Sequence, residues 1–135
     1  MVLRTFAMDD YDAVIALWKK AGIRLSRSDT VEGIRKKLER DPQLFLVMVE
    51  AGAIIGAVMG SYDGRRGWVN HLAIDPLHQG KRLGSMLLAE LERRFRELGC
   101  EKVNLLIEMD NAQVQGFYQQ LGFRMDSLLF MEKWM

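Results

Sequence analysis

From Gln79 to Gly84 the chain reads Gln-Gly-Lys-Arg-Leu-Gly, with two glycines around two cations where an apolar helical repeat begins. Residues of these types at this spacing suit an anion. Glycines let a ligand approach the main chain, the first amides of a helix have no carbonyl partners, and the positive end of the macrodipole lies there. Lys81 and Arg82 add two side-chain charges, so the chemistry expected is retention of a phosphorylated ligand, in particular a pyrophosphate. The competing reading of this hexapeptide alone is a shaped turn with solvated cations. Residue types exclude two other phosphate loops. A P-loop needs glycine where Asp75 stands and Ser or Thr where Arg82 stands, and a dinucleotide fingerprint needs three glycines at fixed spacing.

The turn must be held by a strand before it and a helix after it. Residues 72–74 form an apolar run suited to a buried central strand, and Pro76, which lacks a backbone donor, ends it. From Leu83 onward, Met86, Leu87, Leu91, Phe95 and Leu98 recur at helical spacing, and Leu98-Gly99 closes the helix. Residues 102–107 read as the next strand, so strand, helix and strand make a right-handed crossover with a crevice at the strands' carboxyl ends.

Upstream, residues 2–6 alternate like a strand, and Asp9-Asp10 precede Val14, Ile15, Leu17 and Trp18 on a helix that Gly22 closes. Ser28 or Asp29 is expected to cap a second helix, with Glu32 completing a capping box, Ile34 and Leu38 facing inward, and Asp41-Pro42 stopping it. Residues 44–50 and 53–62, joined by Ala51-Gly52, read as a hairpin, in which Gly56 and Gly60 suggest a bulge or close backbone approach. Downstream, Asn111 is expected to cap a short helix bearing Val114, Phe117, Tyr118 and Leu121, and residues 128–133 read as a last strand.

The turn resembles the acyl-CoA-binding turn of the GNAT superfamily of N-acetyltransferases, whose pattern is Gln or Arg, two residues, Gly, one residue, then Gly or Ala. Here Arg82 replaces the middle glycine. A second family signature lies in order downstream, where Asn111-Ala112-Gln113-Val114-Gln115-Gly116-Phe117-Tyr118-Gln119-Gln120-Leu121-Gly122-Phe123 is similar to the pattern ending Phe-Tyr-x-x-x-Gly-Phe. The resemblance spans nearly the whole chain and is nearest to the small single-domain bacterial YpeA-like branch. It implies an α/β fold, a mixed, mainly antiparallel sheet of six to seven strands with helices on both faces, formed by residues 1–135 as a single domain.

The same resemblance implies acetyl-CoA as co-substrate and no metal. Pantetheine would follow main-chain groups of Leu72, Ala73 and Ile74, while pyrophosphate meets the segment Gln79, Gly80, Lys81, Arg82, Leu83, Gly84 and Ser85. Tyr118 matches the family tyrosine that protonates the departing thiolate, with Phe117 beside it. Asn111 is either a ligand to the pantetheine and strand or a helix cap. The amide of Ala73 or Ile74 is expected to hold the oxyanion. Where many relatives carry a basic glutamate on the fifth strand, this chain has Leu106, so Glu108, two residues on, is the first candidate base if the strand stays regular. His71 is the second, an imidazole being suited to neutral pH; Asp110, Asp75 or water are further alternatives. In the family, residues 21–29 and the flanking helices wall the acceptor pocket, which Trp18, Ile23 and Leu25 would line unless they are core.

Composition narrows the partners. The chain has 135 residues, a net charge of +1, and 27% charged residues, so no global field favours nucleic acid or an anionic membrane. Arg35, Lys36, Lys37, Arg93, Arg94 and Arg96 alternate with glutamates and read as solvated helix faces. One cysteine, Cys100, permits no internal disulfide, and two histidines give no metal cluster, which points to the cytoplasm. The expected activity is acyl transfer to a primary amine of a small molecule or peptide, by a monomer or homodimer. The alternative is a catalytically silent CoA-binding sensor or interaction module; a nucleic-acid-binding role lacks aromatic platforms.

Overall fold

Residues 45–48 are apolar without a break because both faces of their strand are covered. The computed structural model describes residues 1–135, and in it Phe45 and Val47 of β2 (Phe45–Glu50) enter one cluster while Leu46 and Met48 enter another. Alternation along the strand sends successive side chains to opposite layers. α1 (Tyr11–Lys20) and α2 (Val31–Arg40) cover the first face through Val14, Leu17, Trp18 and Ile34. α3 (Leu83–Glu97) covers the second through Leu83, Leu87, Leu88, Leu91 and Phe95, whereas Met86 and Leu98 of the same apolar repeat are exposed.

The strands lie in sequence order, β1 (Val2–Thr5), β2, β3 (Ala53–Tyr62), β4 (Gly67–Ile74) and β5 (Val103–Leu105), all antiparallel except the β4–β5 pair. The β2–β3 register slips beside Gly56, leaving Ile55 as the extra residue and turning it towards α3. Gly60 serves close approach, since a Cβ there would lie 2.7 Å from Leu91.

Four expectations are corrected. The sheet has five strands, not six to seven: residues 128–133 join no ladder, and Leu128 and Leu129 are 79% and 94% exposed. β5 covers three residues rather than 102–107, because its only strand neighbour is β4 and their pairing ends at Val69 and Leu105. The N-cap of α2 is Thr30, whose hydroxyl accepts from the Gly33 amide at 3.2 Å, so neither Ser28 nor Asp29 caps it. α4 (Gln115–Gln120) follows a 3-10 segment, Met109–Val114, in which Asn111 accepts from the Gln113 side chain at 2.8 Å rather than from a helical amide.

Candidate functional site

Beyond Val69, β4 continues to Ile74 while β5 ends, so the edge of residues 70–74 that faces β5 has no strand beside it. An extended ligand can use the main-chain donors and acceptors that such an edge leaves unpaired. The opening lies at the carboxyl ends of two parallel strands, where ligands of α/β sheets usually bind.

The edge leads directly into the phosphate-type turn. Asp75 caps the 3-10 turn Pro76–His78 by accepting from the Leu77 amide at 2.9 Å and binds Lys20 of α1 at 3.0 Å. Both of its oxygens are thereby engaged, which removes it as a free base. The Gln79 side chain returns to the Ile74 carbonyl at 3.3 Å. Gly80 and Arg82 both take positive φ, +84° and +61°, so arginine occupies a left-handed position at the start of α3. No side chain caps this end. The Met86 amide bonds the Arg82 carbonyl at 3.2 Å, which leaves the amides of Leu83, Gly84 and Ser85 without helical acceptors.

Gly84 joins the two sequence signatures in space. A Cβ at this position would lie 3.2 Å from the Phe117 ring, so glycine lets that ring sit on the first turn of α3. Phe117 meets Tyr118 edge-on at 5.0 Å, and Tyr118 meets Phe123 at 5.7 Å. Tyr118 also packs on the α3 cluster and lines, with Leu105 and Ile107, an open groove beside β5. Burial pushes its phenol above the ordinary range, so it carries its proton at neutral pH.

His71 stands two residues beyond the last β4–β5 pair. Here His71 and Leu72 together oppose Val58, a bulge that gives His71 a φ of +53°. The Trp18 indole donates to the His71 carbonyl at 3.0 Å and meets its ring edge-on at 4.8 Å. His71 Nε2 lies 3.1 Å from Oδ1 of Asp29, a buried residue whose other oxygen accepts from the Ser26 amide at 2.9 Å. A carboxylate only accepts, so Nε2 carries the hydrogen and Nδ1 of the neutral ring keeps its lone pair. Nδ1 has no protein partner. Burial raises the Asp29 carboxyl, but the His71 ring and the Ser26 amide outweigh it and bring it below the usual range.

The other acids stand apart. Because β5 ends at Leu105, strand alternation does not extend to Glu108, whose side chain is 62% exposed. Glu108 and Asp110 each lie 3.5 Å from the Arg24 guanidinium. Trp18 is fully buried core, while Ile23 and Leu25 are half-buried against the α1 side. Sequence alone assigns Asp29 and Arg24 no individual chemical role within the segment 21–29. Asp29 carries an ordinary helix-start signal, and its partner is 42 residues away.

Asp29 and Asp10 both have folded pKa values below their unfolded ones; the second is lowered chiefly by its hydrogen bonds from Arg4. Their stabilisation is present above the unfolded carboxylate value, near 3.9, and is lost as pH falls through the folded values. Asp29→Asn should lower Tm at pH 7 by about 3–5 °C, the shift for a loss of about 1 kcal/mol, and the gap should narrow as pH falls below the unfolded carboxylate value and through the folded one. Thermal melts across that range check it.

The family model described as "Acetyltransferase (GNAT) family" matches residues 7–123. The chain belongs to the GNAT family of acetyltransferases. That match includes the unpaired β4 edge, the turn before α3 and Tyr118. Acetyltransferase SG1711 of Sodalis glossinidius is 37% identical over 134 residues, covering 98% of this chain and 94% of that protein. Acetyltransferase ECA0875 of Pectobacterium atrosepticum is 38% identical over 123 residues, covering 91% and 87%. Among solved structures, PaiA N-acetyltransferase from Thermoplasma acidophilum in complex with coenzyme A shares the GNAT fold, with a TM-score of 0.81 and 19% identity over 93% of this chain and 90% of that one.

Proposed function

We propose that this GNAT acetyltransferase uses acetyl-CoA to acetylate a primary amine of a small molecule or peptide, by direct attack within a ternary complex. The observation that carries this reading is the continuity of the unpaired β4 edge with the free amides that open α3. Pantetheine extends along the main chain of Leu72, Ala73 and Ile74, and the pyrophosphate meets the segment from Gly80 to Ser85. Gln79, tied to the Ile74 carbonyl, holds the turn against the strand end. Lys81 adds charge, and the Ala73 or Ile74 amide takes the oxyanion. Tyr118 returns a proton to the thiolate, with Phe117 fixing the helix that presents it; Asn111 lies at the entrance of that helix. Glu108 and His71 are the two groups from the strand ends available to receive the amine's proton. PaiA, crystallised with coenzyme A, lends support through its fold.

Calorimetry with acetyl-CoA, followed by thiol release over a panel of amines, tests the reading. Micromolar binding together with release for at least one amine is expected. Binding without release over a broad panel would instead make the chain a CoA-binding module. Arg82→Gly separates amide from side-chain contributions. Left-handed arginine costs about 1–2 kcal/mol, and the added freedom of glycine offsets about 0.5–1 of it. Tm should therefore hold or rise, and Kd for acetyl-CoA should weaken by less than about tenfold, since one exposed cation contributes about 1 kcal/mol or less. A larger loss in calorimetry assigns the anion to the guanidinium.

A further inference from the structure

We propose that His71 takes the proton from the acceptor's ammonium group at Nδ1, with Asp29 as the positioning residue that holds the ring and stabilises the imidazolium formed. This inference rests on the N-acetyltransferase reading above. His71 lies two residues past the last β4–β5 pair and directly before Leu72, in the part of β4 that has no strand beside it and is proposed to carry the thioester arm. A non-glycine residue at φ +53° costs conformational energy, and three contacts hold it there: the Trp18 indole on its carbonyl, the Trp18 ring against its imidazole, and Asp29 on Nε2. Asp29 is itself fixed through the Ser26 amide. The result is an imidazole with one nitrogen anchored to a buried carboxylate and the other without a hydrogen-bond partner in the protein. A base oriented by a third group in this way is a recurring catalytic arrangement.

Glu108 is the weaker claimant. It is exposed, lies beyond the end of β5 and shares Arg24 with Asp110.

The proton balance is complete without a further reactant. The ammonium gives one proton to Nδ1, and the free amine attacks the thioester carbonyl, forming the C–N bond. Collapse breaks the C–S bond, and the departing sulfur takes the Tyr118 proton. The new amide nitrogen loses its second proton through solvent to the Tyr118 phenolate, and the imidazolium discharges to bulk water. One proton is released per turnover.

The test uses His71→Asn and His71→Gly, since asparagine and glycine tolerate positive φ. Thiol release is measured with a diamine, an aminosugar and a peptide with a free amino terminus, alongside acetyl-CoA calorimetry. His71→Asn is expected to lower kcat/KM for the amine by about 10²–10³-fold, with acetyl-CoA affinity within about twofold. Added imidazole should restore turnover to His71→Gly, which a purely structural role would not produce. Asp29→Asn should lose less activity and show no imidazole rescue. Wild-type turnover with His71→Asn retaining more than half of it overturns the assignment alone, as does a loss in His71→Gly that imidazole leaves unchanged. Loss in Glu108→Gln with His71→Asn unaffected transfers the role to Glu108. No thiol release by the wild type with any amine overturns the N-acetyltransferase reading, and the inference with it.

Discussion

Tyr118→Phe is expected to lower kcat by about 10²–10⁴-fold, the usual contribution of a positioned acid, while acetyl-CoA affinity stays within about twofold. The substitution removes one oxygen and keeps the ring that fills the space between Phe117 and Phe123. The fold should therefore tolerate it. Burial holds the phenol protonated at neutral pH, and the hydroxyl has no protein partner to lose, so no buried group is orphaned by its removal. Single-turnover thiol release separates the chemical step from product release. Unchanged turnover with weakened CoA binding would make Tyr118 a packing residue and return the proton to solvent.

Trp18→Ala is expected to destabilise the chain by about 3–5 kcal/mol, the cost of emptying a fully buried aromatic site. For a chain of this size that corresponds to a Tm about 10–20 °C lower. The indole lies between Phe45 of β2 and His71 of β4, at 5.9 Å and 4.8 Å, so the cavity would open under the bulge. Trp18→Phe isolates the polar part. It keeps most of the packing but leaves the His71 carbonyl without its donor, at a cost of about 1–3 kcal/mol. If the bulge exists to hold the His71 ring, Trp18→Phe should also lose acyl transfer out of proportion to its melting temperature. Denaturant unfolding and amine kinetics on the same samples make the comparison.

The signals that were legible in the chain are local ones. An apolar strand ended by Pro76, a glycine-bearing turn and a 3.6-residue apolar repeat specify β4, the turn and α3, because each depends on residues only a few positions apart. Ala51-Gly52, both at positive φ, likewise specify the β2–β3 hairpin. Phe117 and Tyr118 are linked to the turn in the sequence only by the resemblance of their segment to the second GNAT signature, and the packing of Phe117 over Gly84 is the contact that brings the two segments together.

What needed the tertiary structure is long-range or conformational. The length of β5 depends on where β4 stops running beside it, which apolar content at residues 102–107 cannot report, and Glu108 left the strand with it. Arg82 takes a glycine-like φ because the turn and helix around it dictate the backbone, against the preference of its own side chain. Thr30 rather than Asp29 caps α2, and that exchange frees a buried carboxylate for a histidine 42 residues away. Side-chain pairing across such a separation leaves no periodic trace in a single chain. Only folding brings the two groups together.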